Sequence, residues 1–270
     1  MLHIRNIPLL LAATAVALPA QAQRSDQRSA QEWAEDCDIG DDRSERFCEV
    51  REYTVRASGS LRVDAHPNGG IRVTSWDRNE VKVVAKVGAW ARTAEDAREL
   101  AGEVKVEAGE SEIRADGPET RGRRGWYVSY EIWAPSRTDL RLSTTNGGLT
   151  VEGIRGRLDL ETTNGGIHLE AVGGNVVAET TNGTIDVALD GSRWEGEGLR
   201  AETTNGGVKI RVPEGFNADL EASTTNGGID FEFPVTIQGR LNKRITTKLG
   251  NGGPLLSLST TNGGVSVRRR

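Results

Sequence analysis

The feature that most restricts what this chain can fold into is a hexapeptide that recurs from Leu140 to the C-terminus. Its copies are Ser143-Thr144-Thr145-Asn146-Gly147-Gly148, Glu161-Thr162-Thr163-Asn164-Gly165-Gly166, Glu179-Thr180-Thr181-Asn182-Gly183-Thr184, Glu202-Thr203-Thr204-Asn205-Gly206-Gly207, Ser223-Thr224-Thr225-Asn226-Gly227-Gly228 and Ser259-Thr260-Thr261-Asn262-Gly263-Gly264. A degenerate copy, Gly250-Asn251-Gly252-Gly253, sits between the last two. From Asn146 onward, successive asparagines lie 18, 18, 23, 21, 25 and 11 residues apart, a spacing in the range of solenoid coils. Alternating segments flank each copy, as in Leu158-Asp159-Leu160 before and Ile167-His168-Leu169 after, which predicts strands buried on one face.

Asn and Gly tolerate positive φ, so Asn-Gly-Gly predicts a tight corner. Thr is β-branched and suits strands, and stacked Thr hydroxyls are expected to bond to one another from layer to layer. A lone hairpin accepts many residues beside its turn, whereas a ladder of equivalent positions favours the same residue in every rung. The competing geometry is a series of two-residue hairpins, because Asn-Gly is also the strongest short signal for a type I′ turn. Alternation does not separate the two, since a hairpin at Asn164-Gly165 also puts Leu160, Thr162, Ile167 and Leu169 on one face. Copy identity and period favour the stack.

Upstream, Leu61-Arg62-Val63 and Ile71-Arg72-Val73 alternate around a related turn at Asn68-Gly69-Gly70. Thr93-Ala94-Glu95-Asp96 reads as a capped helix start, with Ala94, Ala97, Leu100 and Ala101 on one face. The expected helix, over 93-103, covers an edge or an end of the β structure.

The N-terminus carries Arg5, an apolar run from Ile7 to Leu18 and then Ala20-Gln21-Ala22, the pattern of a signal peptide cleaved after Ala22. The run is too short to span a bilayer, and no later segment approaches one, so the processed chain is not expected to be membrane-spanning. Cleavage leaves 33 Lys+Arg against 39 Asp+Glu, a net charge of −6, which argues against nucleic acid. The short basic runs at Arg121-Arg123-Arg124, Lys243-Arg244 and Arg268-Arg269-Arg270 read as solvated loops. Cys37 and Cys48 form an even pair in an oxidising compartment and are expected to make a disulfide worth roughly 2 to 3 kcal/mol by loop-closure entropy. Residues 23-48 then read as a polar linker with a disulfide arm, and 49-270 as the repeat domain.

These residues resemble a known family, the bacterial β-strand-repeat domain of unknown function, also labelled putative adhesin. The resemblance rests on Ser58-Gly59-Ser60-Leu61-Arg62-Val63, Asn68-Gly69-Gly70-Ile71-Arg72-Val73, Trp76-Asp77, the segment Val128-Ser129-Tyr130-Glu131-Ile132-Trp133-Ala134-Pro135 and the Asn-Gly repeats. It implies an exported, single-domain β-solenoid with no established catalytic residues. Such motifs are architectural and say little about activity.

Chemistry is sparse in the residues themselves. His66 lies beside a turn and His168 on the polar face of a repeat strand, with no spacing for a zinc site or a Ser-His-Asp triad. Asp159, Glu161, Asp186, Glu202 and Glu221 project near the turns, where stacking could align the paired carboxylates that polysaccharide-cleaving β-helices use. The bland alternative is a charged, solvated strand face. The calcium nonapeptide of β-rolls is lacking, and the Asn-Gly-Gly copies open no helix that would hold a phosphate. Trp126, Tyr127, Tyr130 and Trp133, with Trp76, Trp90 and Trp194 elsewhere, read either as a sugar-stacking platform or as a seal on the solenoid end. In a strand, Trp126 and Tyr130 share a face with Val128 and Ile132, while Tyr127 and Trp133 point away.

The sequence therefore predicts an all-β, β-helix-like solenoid with stacked Thr-Thr-Asn-Gly-Gly turns at Asn68, Asn146, Asn164, Asn182, Asn205, Asn226, Asn251 and Asn262, and one short covering helix. No catalytic residue, metal site or cofactor is assigned. The expected function is a non-enzymatic scaffold in the periplasm or at the cell surface, an adhesin or a sensing partner that binds an envelope protein or surface glycan. The alternative is a polysaccharide-binding or polysaccharide-cleaving β-helix.

Overall fold

A computed structural model describes residues 44–232 and 243–270. The N-terminal part runs β1 (Glu45–Arg56), β2 (Ser60–Asp64), β3 (Ile71–Trp76), β4 (Glu80–Ala91), α1 (Ala94–Glu103), β5 (Lys105–Ala108), β6 (Glu112–Asp116) and β7 (Gly125–Pro135). The repeats follow as β8 (Asp139–Asn146), β9 (Leu149–Glu152), β10 (Arg155–Asn164), β11 (Ile167–Glu170), β12 (Gly173–Asn182), β13 (Ile185–Ala188), β14 (Gly198–Asn205), β15 (Val208–Val212), β16 (Ala218–Asn226), β17 (Ile229–Phe231), β18 (Arg244–Leu249), β19 (Leu255–Asn262) and β20 (Val265–Arg269).

These strands make two ten-stranded sheets that do not close. One has the order β1-β4-β7-β3-β9-β11-β13-β15-β20-β17, the other β18-β16-β19-β14-β12-β10-β8-β2-β6-β5. Each coil contributes one strand to each sheet, joined at an Asn corner. Equivalent strands pair in parallel and in register, as Leu160 with Ala178 and Ile167 with Ile185. Parallel pairing disposes of the hairpin geometry, which would have placed the two strands flanking each Asn-Gly antiparallel. The core lies between the sheets: Leu158, Leu160, Ile167 and Leu169 of one coil are all buried, and their counterparts repeat from coil to coil.

The coils are not stacked in chain order. The C-terminal coil, β19 and β20, pairs with β14 and β15 on one side and with β16 and β17 on the other. The chain thus leaves a gap after β15, builds the next coil one layer away, and fills the gap last. To return, β18 runs antiparallel to β16 along the sheet edge. Asn251 sits in that return and not in a repeat corner: Gly250 (φ 54°) and Gly252 (φ 80°) flank it, and its backbone N–H donates to Asn217 Oδ1 at 2.8 Å. Gly250-Asn251-Gly252-Gly253 is therefore a reversal that mimics the repeat, a correction to the sequence expectation. It lacks the Thr pair of the true copies.

At the other end, β1, β4 and β7 pair antiparallel and cap the stack. β1 begins at Glu45, so residues 45–48, expected to belong to the polar arm, are in the first strand. α1 starts one residue later than expected, with Thr93 Oγ1 accepting from the Asp96 N–H at 3.1 Å. It buries Ala97, Leu100 and Ala101, and Arg51 on β1 donates to the C-terminal carbonyls of Ala101 and Val104. Helix-end carbonyls without intrahelical partners are satisfied this way. The signal peptide expected over 1-22 and Cys37 lie outside the described residues. Cys48 is buried on β1.

Candidate functional site

The corners explain the repeat, though by a different route from the one the sequence suggested. Among the described residues, no corner Asn has positive φ; the one non-Gly residue that does is Ala171. Glycine is required by close approach instead. A Cβ on Gly147, Gly165, Gly183, Gly206, Gly263 or Gly227 would lie within 1.8–2.0 Å of a glycine carbonyl oxygen in the adjacent coil. The second glycine is less constrained, with 3.4 Å available at Gly148, and Thr184 takes that place in one copy.

The first Thr of each pair is buried, and its hydroxyl bonds to that same glycine carbonyl rather than to another Thr. Thr144 Oγ1 donates to Gly69 O at 2.8 Å, Thr162 to Gly147 O at 2.9 Å, Thr180 to Gly165 O at 2.8 Å, Thr203 to Gly183 O at 2.9 Å, Thr260 to Gly206 O at 2.8 Å and Thr224 to Gly263 O at 2.9 Å. The backbone N–H groups of the next coil pass this carbonyl by and bond to Asn O, as Gly147 N to Asn164 O. Thr therefore satisfies an oxygen that burial would otherwise strand. The asparagines form a third ladder on the surface, Asn68–Asn146–Asn164–Asn182–Asn205–Asn262–Asn226, each Nδ2 donating to the neighbouring Oδ1 at 2.8–2.9 Å.

The flagged carboxylates do not converge. Asp159 faces Arg141 at 3.8 Å, Asp186 pairs with Arg211 at 2.9 Å on the opposite sheet, and Glu221 pairs with Arg244 at 2.7 Å. Glu161 and Glu202 do share a ladder, with Glu179 between them, above a shallow groove beside Thr163, Thr181 and Thr204. Glu202 is held by Arg200 at 2.8 Å, and Glu161 and Glu179 face solvent in like settings, whereas acid–base chemistry needs two free carboxyls in unlike environments. His66 pairs with Asp64, and His168 lies 3.9 Å from Glu170.

The aromatics divide as the strand pattern predicts. Trp126 and Tyr130 are buried with Val128 and Ile132, and burial pushes the Tyr130 phenol up, with the Asp64 charge adding to it. Tyr127 and Trp133 are half-exposed, with Lys82 Nζ 5.1 Å from the Trp133 ring centre. Trp76 carries Arg78 over its ring at 5.0 Å, and Trp90 packs where Gly125 leaves room. The four do not form one platform. Arg92, Arg121, Arg123 and Arg124 line a second hollow of about 320 Å³ beside α1, faced by Asp96 and Glu99.

A further hollow, of about 490 Å³, lies at the corner opposite the asparagines. There β9–β10 and β11–β12 are joined by residues 153–154 and 171–172 only, whereas β13–β14 are joined by 189–197 and β15–β16 by 213–217. These insertions account for the longer spacings of 23 and 21. They pair with each other: Asn217 N and Nδ2 both donate to Ser192 O at 2.9 Å. Trp194 turns inward, donating to Gly174 O at 3.0 Å, and forms the floor with Phe216. Arg155 donates from Nε to Glu195 Oε2 at 3.0 Å and from Nη2 to Asp190 Oδ2 at 3.2 Å. Of these residues the sequence reading singled out Trp194 alone, as one of the aromatics, although the irregular spacing was the signal that pointed to the others.

Two open sheets of in-register parallel coils, capped by antiparallel strands and carrying a polar hollow on the variable corner, define a β-solenoid-like domain. The chain belongs to the Toastrack DUF4097 family, whose sequence profile matches residues 100–268. Solved structures similar to the chain include a putative cell adhesion protein from Clostridium sporogenes (11% identity, 83% of this chain and 100% of that one, TM-score 0.48). Others are a putative adhesin from Bacteroides fragilis (11%, 83% and 97%, TM-score 0.41) and a putative lipid binding protein from Parabacteroides distasonis (10%, 82% and 96%, TM-score 0.31). No curated protein matches the sequence. Among the described residues no helix is long and apolar enough to cross a membrane.

Proposed function

We propose that the chain is exported, cleaved after Ala22, and acts without catalysis as a rigid β-solenoid scaffold in the periplasm or at the cell surface, an adhesin or envelope interaction protein. The observation that supports this reading is the continuous Thr–Gly and Asn spine, which holds the sheet faces in fixed register while the candidate acids are dispersed in ion pairs or along one surface ladder. A surface made this way suits non-covalent contact with an envelope protein or a glycan. Within the same reading, Cys37 and Cys48 pair and tie the N-terminal arm to the cap.

Envelope fractionation of a C-terminally tagged chain, with the intact mass measured, tests the proposal. The expected result is a species lacking residues 1–22 in the periplasmic or surface fraction, with both cysteines resistant to alkylation until reduced. A full-length chain in the cytoplasm would overturn it. Turnover of a polysaccharide that disappears in Glu179→Gln would instead favour a cleaving β-helix acting through the glutamate ladder.

A further inference from the structure

We infer that the hollow between the two insertions is a binding site for a neutral saccharide, an inference that rests on the non-enzymatic scaffold reading and names what its variable corner recognises. The rim carries solvent-open acceptors and donors. Asp190 and Glu195 each give one carboxylate oxygen to Arg155, and among the described residues Asp190 Oδ1 and Glu195 Oε1 have no hydrogen-bond partner. The Arg193 guanidinium and the Ser192 hydroxyl also line the hollow, and no hydrogen bond or ion pair from either side chain to another described residue is present. Two open acceptors and two open donors thus surround one space.

The chemistry of the set selects the ligand. A sugar hydroxyl both donates and accepts, so a row of hydroxyls meets carboxylate oxygens and a guanidinium at once. Phosphate or sulfate offers acceptors only and would face two carboxylate oxygens. The charges of Arg155 and Arg193 are balanced by those of Asp190 and Glu195, which leaves no net attraction for a polyanion. Beneath the rim, Trp194 and Phe216 are almost fully buried and hold the loops in place, so the contacts to a ligand fall to the polar groups of the rim. A volume near 490 Å³ falls within the range of small-ligand sites. The loops that build it are anchored by backbone bonds of Gly174 to Glu195 and Glu197, so the rim is set before any ligand arrives.

The test uses the purified full chain on an array of neutral hexose and N-acetylhexosamine oligosaccharides, with uronate-containing and phosphorylated glycans as the second arm. Expected is binding within the neutral set that weakens about tenfold in Arg193→Ala, the loss of one charge-assisted hydrogen bond, while Arg123→Ala in the other hollow binds as the parent does. Ser192→Trp, which fills the hollow, should abolish binding with the melting temperature retained. Failure of every neutral glycan to bind, binding unchanged in both variants, or binding confined to acidic glycans and lost in Arg123→Ala would each overturn the inference. Because binding is read on purified protein, a negative array beside correct export refutes this site alone, and a cytoplasmic chain refutes the scaffold reading alone.

Discussion

The two corners of the coil follow opposite rules. At the asparagine corner every connection is two residues long, from 147–148 to 263–264, and the same three side chains recur. At the opposite corner the connections range from two residues to nine, and beyond the buried apolar Ile154 and Val172 of the two short ones the side chains differ. One corner is fixed by what it must do for its neighbours, so each rung constrains the next. The other is joined from coil to coil by backbone bonds such as Gly153 N to Glu170 O and Ala171 N to Ala188 O, with no recurring side-chain ladder among the described residues, and is free to carry loops, which is where a binding surface can diverge without disturbing the stack.

Glycine substitutions break this comparison most sharply. In Gly165→Ala the new Cβ would lie 1.9 Å from the Gly147 carbonyl oxygen, backbone that is itself pinned by the next rung. Destabilisation of about 3 kcal/mol or more is expected in urea titration. Gly191→Ala at the opposite corner meets nothing within 4 Å and incurs only the left-handed backbone penalty at φ 68°, about 1 kcal/mol. Equal effects at the two sites would mean that the asparagine corner can separate its coils, and the account of the repeat would fail.

The buried threonine comes next. Thr162→Val keeps the shape and removes the donor, leaving the Gly147 carbonyl unsatisfied at a cost of about 1–3 kcal/mol. Thr162→Ser keeps the donor and should recover most of that loss. If Val is tolerated as well as Ser, the hydroxyl is not the reason for the repeat. Asn164→Ala removes two ladder bonds, to Asn146 and from Asn182, but both are exposed to water. An effect below about 1 kcal/mol is expected, and thermal melts of the two variants should rank Thr above Asn.

The legibility of this chain follows the same division. The period and the alternation reveal coils, corners and core, because stacking imposes both on the sequence. The order of coils is not legible, and for the same reason: Ser223-Thr224-Thr225 and Ser259-Thr260-Thr261 offer the same edge, so nothing local says that β19 rather than β16 follows β14. Asn251 misled because Gly-Asn-Gly-Gly satisfies turn chemistry in a reversal as well as in a corner. The Thr-to-carbonyl bond was hidden because propensity explains Thr in a strand equally well, and only the coordinates reveal which oxygen lacks a backbone donor. The hollow near Trp194 was visible only as an interruption of period.

The smallest expected effect has the opposite sign. Ala171 occupies φ 52° at the two-residue connection between β11 and β12, the place that Gly153 (φ 70°) fills one coil earlier. A left-handed alanine is strained by about 1–2 kcal/mol, and Ala171→Gly removes that strain. The same change loosens the unfolded chain, which subtracts about 0.4–1 kcal/mol. Strain relief is the larger of the two, so a net gain near 0.5 kcal/mol is expected in chemical denaturation. A glycine that stabilises here while alanine is ruinous at Gly165 would show that steric contact between coils governs one corner and single-residue backbone preference the other. A loss of stability in Ala171→Gly would mean that the methyl group packs well enough to outweigh its strain, and that the second corner too is held by its neighbours.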